Sequence, residues 1–203
     1  DGKYDEGWEV LRSRRHKAAQ VLGLVPENSA MEPMASTESW QNLEPNTKRY
    51  QAKRMAVYAA MGEAMDFHIG RLIQHLKDTG RYNNTIFIFA SDNGSEGSGA
   101  GVEPVAMNNL MLSLMDYNDD YETLGLKGSY GTIGPNFASA AASPLGYYKF
   151  YVGEGGLRVP LIIAGEPLTL STPNSIIDAF SYATDIVPTI LQLTGTANPA
   201  GRY

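Results

Sequence analysis

The stretch TIFIFASDNGSEG, residues 85–97, decides how this chain is read. Ile86 to Ala90 is an apolar run of strand length bounded by polar residues. It is predicted as a strand buried on both faces, of the kind found at the centre of an α/β sheet. In open α/β sheets, ligands bind beyond the C-terminal ends of the strands, in a crevice that the helices leave uncovered. Such a strand delivers Asp92 and Asn93 together into that crevice. A plain turn is the competing reading of Asp92-Asn93-Gly94, since all three residue types favour turns.

Upstream of this stretch the chain reads as helical. Residues 3–24 carry Trp8, Leu11, Val21 and Leu22 among the basic run RSRRHK, which predicts an amphipathic surface helix stopped at Gly23, its charges a solvated face. Residues 25–46 hold three prolines and no sustained period, so a loop with a short turn at Trp40 is expected. From about Lys48 a 3.6-residue period returns. Tyr58, Met61, Met65, Ile69, Leu72 and Leu76 form one stripe on a long helix that stops near Gly80. His68 and His75 lie on it seven residues apart, about 10 Å of rise, which is too far for one metal ion. Helix, the short loop RYNN, then a strand is half of a parallel βαβ arrangement.

Downstream, residues 94–148 show no strong period and hold much of the glycine, so they are expected to form one long loop excursion over the sheet, a lid or binding loop. LRVPLIIAG, residues 157–165, is a second apolar run of strand length. Near the end, Thr184 is expected to cap a helix carrying Ile186, Ile190 and Leu193, with Pro188 in its first turn and Gly195 after it.

Composition narrows the function. The 203 residues, 43% hydrophobic, suffice for one sizeable core or two small ones, and one domain or a piece of a larger one is expected. Sixteen Lys and Arg against 22 Asp and Glu leave a net charge of −6, which offers no electrostatic footprint for nucleic acid. There is no cysteine, hence no disulfide, thiolate metal site or thiol nucleophile within the chain. No apolar run approaches 18 residues and the N-terminus DGKYDEGWEV lacks basic and hydrophobic leader regions, so neither a membrane span nor a signal peptide is expected.

Several motifs fail on inspection. DYNDDYETLGLK, residues 116–127, starts like a calcium loop, but Tyr121 stands where the turn needs glycine and Lys127 where a bidentate carboxylate is required. The glycine clusters at 94–101 and 125–134 match neither dinucleotide nor Walker patterns, and G-x-S-x-G is absent.

What remains is the opening stretch and YYKFYVGEGGLRVPLII, residues 147–163, in which Lys149 precedes Glu154-Gly155-Gly156 by five residues and Arg158-Val159-Pro160 follows. Together they resemble the second half of a type I sulfatase, of the alkaline phosphatase superfamily. There a strand ends in Ser-Asp-Asn-Gly, and Lys-x-x-x-x-Glu-Gly-Gly with Arg-Val-Pro lies downstream. AMDFHIGRL resembles the family's Met-Asp-x-x-Ile-Gly segment, and ATDIVPTILQLTG its Thr-Asp-Ile-x-Pro-Thr helix. NDDYETLG, GSYGTIGPNFA and ASPLGYYK resemble pieces of the bacterial arylsulfatase subgroup. The pieces occur in one order and cover almost the whole chain.

The resemblance implies an alkaline-phosphatase-like α/β fold, a mixed and mostly parallel sheet with helices on both faces, present here in part. It implies a small-molecule sulfate ester as substrate, and Asp92 and Asn93 as ligands of Ca²⁺, with Mg²⁺ the alternative. An Asp-Asn pair offers oxygen donors, whereas phosphatase relatives place Asp-His at this point for zinc. Lys149 is implied as the catalytic residue that meets a sulfate oxygen as a mobile point charge, and Arg158 as an internal pairing residue. The departure is the nucleophile. The family carries it in Cys-x-Pro-x-Arg or Ser-x-Pro-x-Arg, oxidised to formylglycine, far upstream. Here the only Ser-x-Pro is STPNS at residue 171, downstream, with Ser175 in place of arginine. Residues 1–203 are therefore expected to be part of one sulfatase catalytic domain, without its N-terminal half or C-terminal subdomain and inactive alone. A phosphonate or phosphate ester hydrolase of the same superfamily, or a non-catalytic binding module, are the alternatives.

Overall fold

The computed structural model describes residues 2–34, 38–98, 110, 112–168, 175–177 and 179–197. Residues 1–169 form one compact unit and 170–203 a second.

In the first unit, helix α1 spans Gly7–Val21 and Gly23 takes the left-handed φ of +71° just beyond it, the stop its sequence predicts. A 3₁₀ turn covers Trp40–Asn42. Helix α2, Pro45–Asp78, starts on a proline and ends before Gly80, at φ +68°. Strand β1 is Phe87–Ala90, helix α3 is Gly134–Ala141, a one-turn helix α4 is Glu154–Leu157, and strand β2 is Leu161–Ala164.

The core lies where α1 packs on α3. Trp8, Trp40 and Phe137 meet edge to face, with centroid separations of 4.8, 5.4 and 5.9 Å, the geometry that sets ring edges against the negative ring faces. Met55, Ile133, Ala138 and Tyr148 complete it. Helix α3 falls inside 94–148, where a loop excursion was expected, and it is the most buried helix described. Its sequence GPNFASAA is mostly small or apolar, and its polar Asn136 and Ser139 are themselves buried, so no charged, solvent-facing side marks a period. In α2, Ala52 and Met55 are buried, whereas Met61, Met65 and Leu72 of the periodic stripe are exposed.

Two expectations about the sheet need correction. Strand β1 is not buried on both faces: Phe87 and Ile88 are half-buried, Phe89 and Ala90 exposed. Among the described residues it has one neighbour, β2, and that pairing is antiparallel, with Phe87 opposite Ala164 and Ala90 opposite Leu161. A short apolar run signals that side chains need cover; it carries no information on strand direction, which the path of the connection sets. A mostly parallel sheet is not seen among these residues.

In the second unit, a 3₁₀ turn Ala183–Asp185 leads into helix α5, Ile186–Leu193. Thr184 is not its cap. The turn begins one residue earlier, and the Asp185 carboxylate reaches back to accept the Tyr182 amide at 2.8 Å. Residues 171–174 of STPNS lie outside the described residues.

Candidate active site

The antiparallel register places the site. Because Ala90 faces Leu161, the residues leaving β1 run beside those entering β2. Ser-Asp-Asn-Gly thereby meets Glu-Gly-Gly-Leu-Arg-Val-Pro, whereas a parallel pairing would set them at opposite ends of the ribbon. The Gly94 amide donates to the Gly156 carbonyl at 3.0 Å. A Cβ on Gly94 would lie 2.8 Å from the Gly156 Cα and closer still to the Gly155 carbonyl oxygen, so only glycine admits this approach. Gly155 in turn donates to Gly146 O at 2.8 Å and lies against the Tyr147 carbonyl, which folds residues 146–156 into a tight hoop.

Lys149 sits on that hoop. Its amide donates to Ser95 O at 3.0 Å and its ammonium lies 2.7 Å from Glu96 Oε2, so it is joined to the Ser91–Ser98 segment by main chain and side chain. Its neighbour Tyr148 is buried in the core, which fixes the base of the lysine stem. The Glu96 hydrogen bond is the largest influence on Lys149; burial opposes it, Glu96, Asp92 and Tyr130 add to it electrostatically, and its pKa lies above the ordinary value. The lysine is therefore a cation at neutral pH. Burial opposes ionisation of Glu96, but hydrogen bonds from Lys149 and from the Ser98 hydroxyl and amide outweigh it and leave its pKa lowered. Burial, then Tyr151, pushes the Tyr148 phenol up to about 12, so it supplies no nucleophile at neutral pH.

Asp92 is exposed at the end of β1 and Asn93 is half-buried, its carbonyl accepting the Ser91 hydroxyl at 2.7 Å in a turn. The structure thus brings Asp92, Asn93 and Lys149 to one corner. Arg158 Nη1 lies 3.8 Å from Glu154 Oε2, an exposed ion pair one helical turn apart. His68 and His75 are both exposed on α2. Glu96 and Tyr130 were not singled out by sequence. The signal available for Glu96 was its place two residues before a serine, the spacing at which a carboxylate accepts from the backbone and hydroxyl beyond it.

Known proteins match this arrangement of motifs. A family profile described as Sulfatase matches residues 16–196. The chain belongs to the sulfatase family. It is 41% identical over its full length to an uncharacterized sulfatase of Schizosaccharomyces pombe, of which it covers 36%. It is 30% identical over 96% of its length to an arylsulfatase of Klebsiella aerogenes, of which it covers 41%. The chain therefore spans well under half the length of these relatives. Membership implies the α/β fold of the alkaline phosphatase type; the described residues show helices and a two-stranded antiparallel ribbon. No described helix is long and apolar enough to cross a membrane.

Proposed function

We propose that the protein containing this chain hydrolyses sulfate esters, and that this chain supplies part of the metal site and one cation of the sulfate site. The observation that carries the reading is the joining of Ser-Asp-Asn-Gly to Lys-x-x-x-x-Glu-Gly-Gly through Gly94–Gly156 and Lys149–Glu96. A sulfate ester resists attack because its oxygens repel a nucleophile and its alkoxide leaves poorly. Fixed positive charge around those oxygens lowers that barrier.

Asp92 and Asn93 offer a carboxylate and an amide oxygen, a donor pair suited to Ca²⁺ or Mg²⁺. Among the described residues no group of three His, Cys, Asp or Glu side chains could hold a metal ion, so these two would be part of a larger set. When bound, such a cation neutralises sulfate charge and polarises the reacting centre. The Lys149 side chain is about one-third exposed, and its ammonium retains two donors beyond the one given to Glu96 to present to sulfate oxygens. With neither a cysteine nor a Ser-x-Pro-x-Arg in the sequence, a formylglycine nucleophile would come from outside these 203 residues, which by themselves turn over no sulfate ester.

The exposed apolar side chains of the ribbon, Phe89, Leu161, Ile162 and Ile163, are surface that a larger mixed, mostly parallel sheet would cover in the whole protein.

Full-length protein assayed on matched aryl sulfate and aryl phosphonate esters tests the reading. Preference for the sulfate supports it, preference for the phosphonate overturns the substrate class, and turnover of neither leaves a binding module.

A further inference from the structure

We propose that Glu96 is the positioning residue for Lys149, holding its ammonium in one place for the incoming sulfate; this rests on the role of Lys149 proposed above. Both carboxylate oxygens are committed. Oε1 accepts the Ser98 amide at 2.8 Å and the Ser98 hydroxyl, and Oε2 accepts from Lys149 at 2.7 Å. Turning the carboxylate away from its present plane therefore strains or breaks all three bonds at once. The segment that bears it is itself fixed: Ser95 accepts the Lys149 amide, and Gly97 packs so closely on the Tyr148 ring that a Cβ there would overlap it.

A lysine side chain is a flexible four-carbon stem, and its ammonium acts on a sulfate only while it stays within reach. Glu96 reduces that freedom while taking one of three N–H donors, leaving two for the substrate. The pair is about one-third exposed on each side, and exposed ion pairs add little to folding stability. Its consequence is orientation. Asp92 and Tyr130, the other charged or ionisable groups acting on Lys149, bear on the same ammonium but form no such bond with it among the described contacts.

A double-mutant cycle on the full-length protein tests this: wild type, Glu96→Gln, Lys149→Ala and the double variant, assayed for kcat, KM and bound calcium. Glu96→Gln is expected to lower kcat about tenfold, the scale for groups that orient a working residue. KM should move less, calcium content should hold, and the loss should vanish when Lys149 is already alanine. An equal loss in both backgrounds, no loss at all, or loss of calcium would overturn the proposal. If Glu96→Gln fails to fold, Ser98→Ala, which removes one Oε1 donor, takes its place in the cycle with the same outcomes. Should wild type turn over no sulfate ester, the functional reading fails and the positioning is read separately, from acylation of Lys149 by an amine-directed reagent. Faster labelling of Lys149 in Glu96→Gln than in wild type supports the contact, and equal labelling overturns it.

Discussion

The amide of Gly94 donates to the carbonyl of Gly156 across 3.0 Å, and that one bond joins the end of β1 to the turn that introduces β2. The approach requires Gly94 to lack a side chain, since a Cβ there would press into the 155–156 backbone, and a Cβ on Gly156 would meet the Tyr148 and Tyr151 carbonyls instead. Gly94→Ala should destabilise the chain by about 1–3 kcal/mol, the range for overpacking a tight contact. Gly62→Ala is the control. It lies inside α2 with open space around its Cα, so alanine there should stabilise by about 0.5–1 kcal/mol through helix propensity. Urea unfolding of the two variants beside wild type should show midpoints moving in opposite directions.

Arg12 is a buried guanidinium that ties three segments to α1. It donates to Glu32 O and Ser139 O, both at 2.5 Å, and to Leu145 O at 3.2 Å, and burial lowers its pKa against the pull of Glu32. Arg12→Ala leaves the buried Ser139 carbonyl unpaired, empties a buried site and unties the other two segments, and should cost about 3 kcal/mol or more. Arg12→Lys should not rescue it, because one ammonium cannot span the fork's acceptors. Thermal unfolding by circular dichroism reads both.

The Glu96–Lys149 pair fixes a pH signature. Glu96 has a folded pKa below its ordinary 4.5, so its contribution is present above that value and is lost as pH falls through the folded pKa. Lys149 is raised above 10.5, so its contribution is complete below that value and is lost as pH rises through the folded pKa. The stability difference between wild type and Glu96→Gln should be flat between about pH 5 and 10 and should shrink at both ends. Urea midpoints of both proteins across that span check it; a difference that changes through neutrality would contradict the pairing.

If Asp92 is the metal ligand proposed above, its replacement separates metal binding from sulfate binding. In the full-length protein Asp92→Ala removes a charged donor, so bound calcium and activity should fall together. Excess calcium should restore part of the activity, because a weakened site refills by mass action. Atomic emission on the purified variant, with rates measured across a calcium series, shows whether the two recover in parallel.

Helices α1 and α2 were legible because their stop signals are chemical: Gly23 and Gly80 adopt the left-handed φ that ends each one. The Ser-Asp-Asn-Gly and Lys-Glu-Gly-Gly pieces made the sulfatase family legible because they occur together, in the order a sulfatase has them. Strand direction was not, since Phe87–Ala90 and Leu161–Ala164 are equally apolar whichever way they run. Helix α3 was missed because burial on all sides erases the polar face that a period needs. Glu96 was missed because its partner Lys149 lies 53 positions away, and nothing local marks a pair formed by two backbones folding together.

The central claim is that Lys149 meets the sulfate beside the Asp92-Asn93 corner. The most direct test is kcat/KM for an aryl sulfate by the full-length Lys149→Ala variant, with bound calcium measured on the same sample. A loss on the order of 10²-fold or more, by analogy with removal of one oxyanion donor, with calcium content unchanged, is the predicted result. Wild-type kinetics in that variant would contradict the account and remove Lys149 from the site.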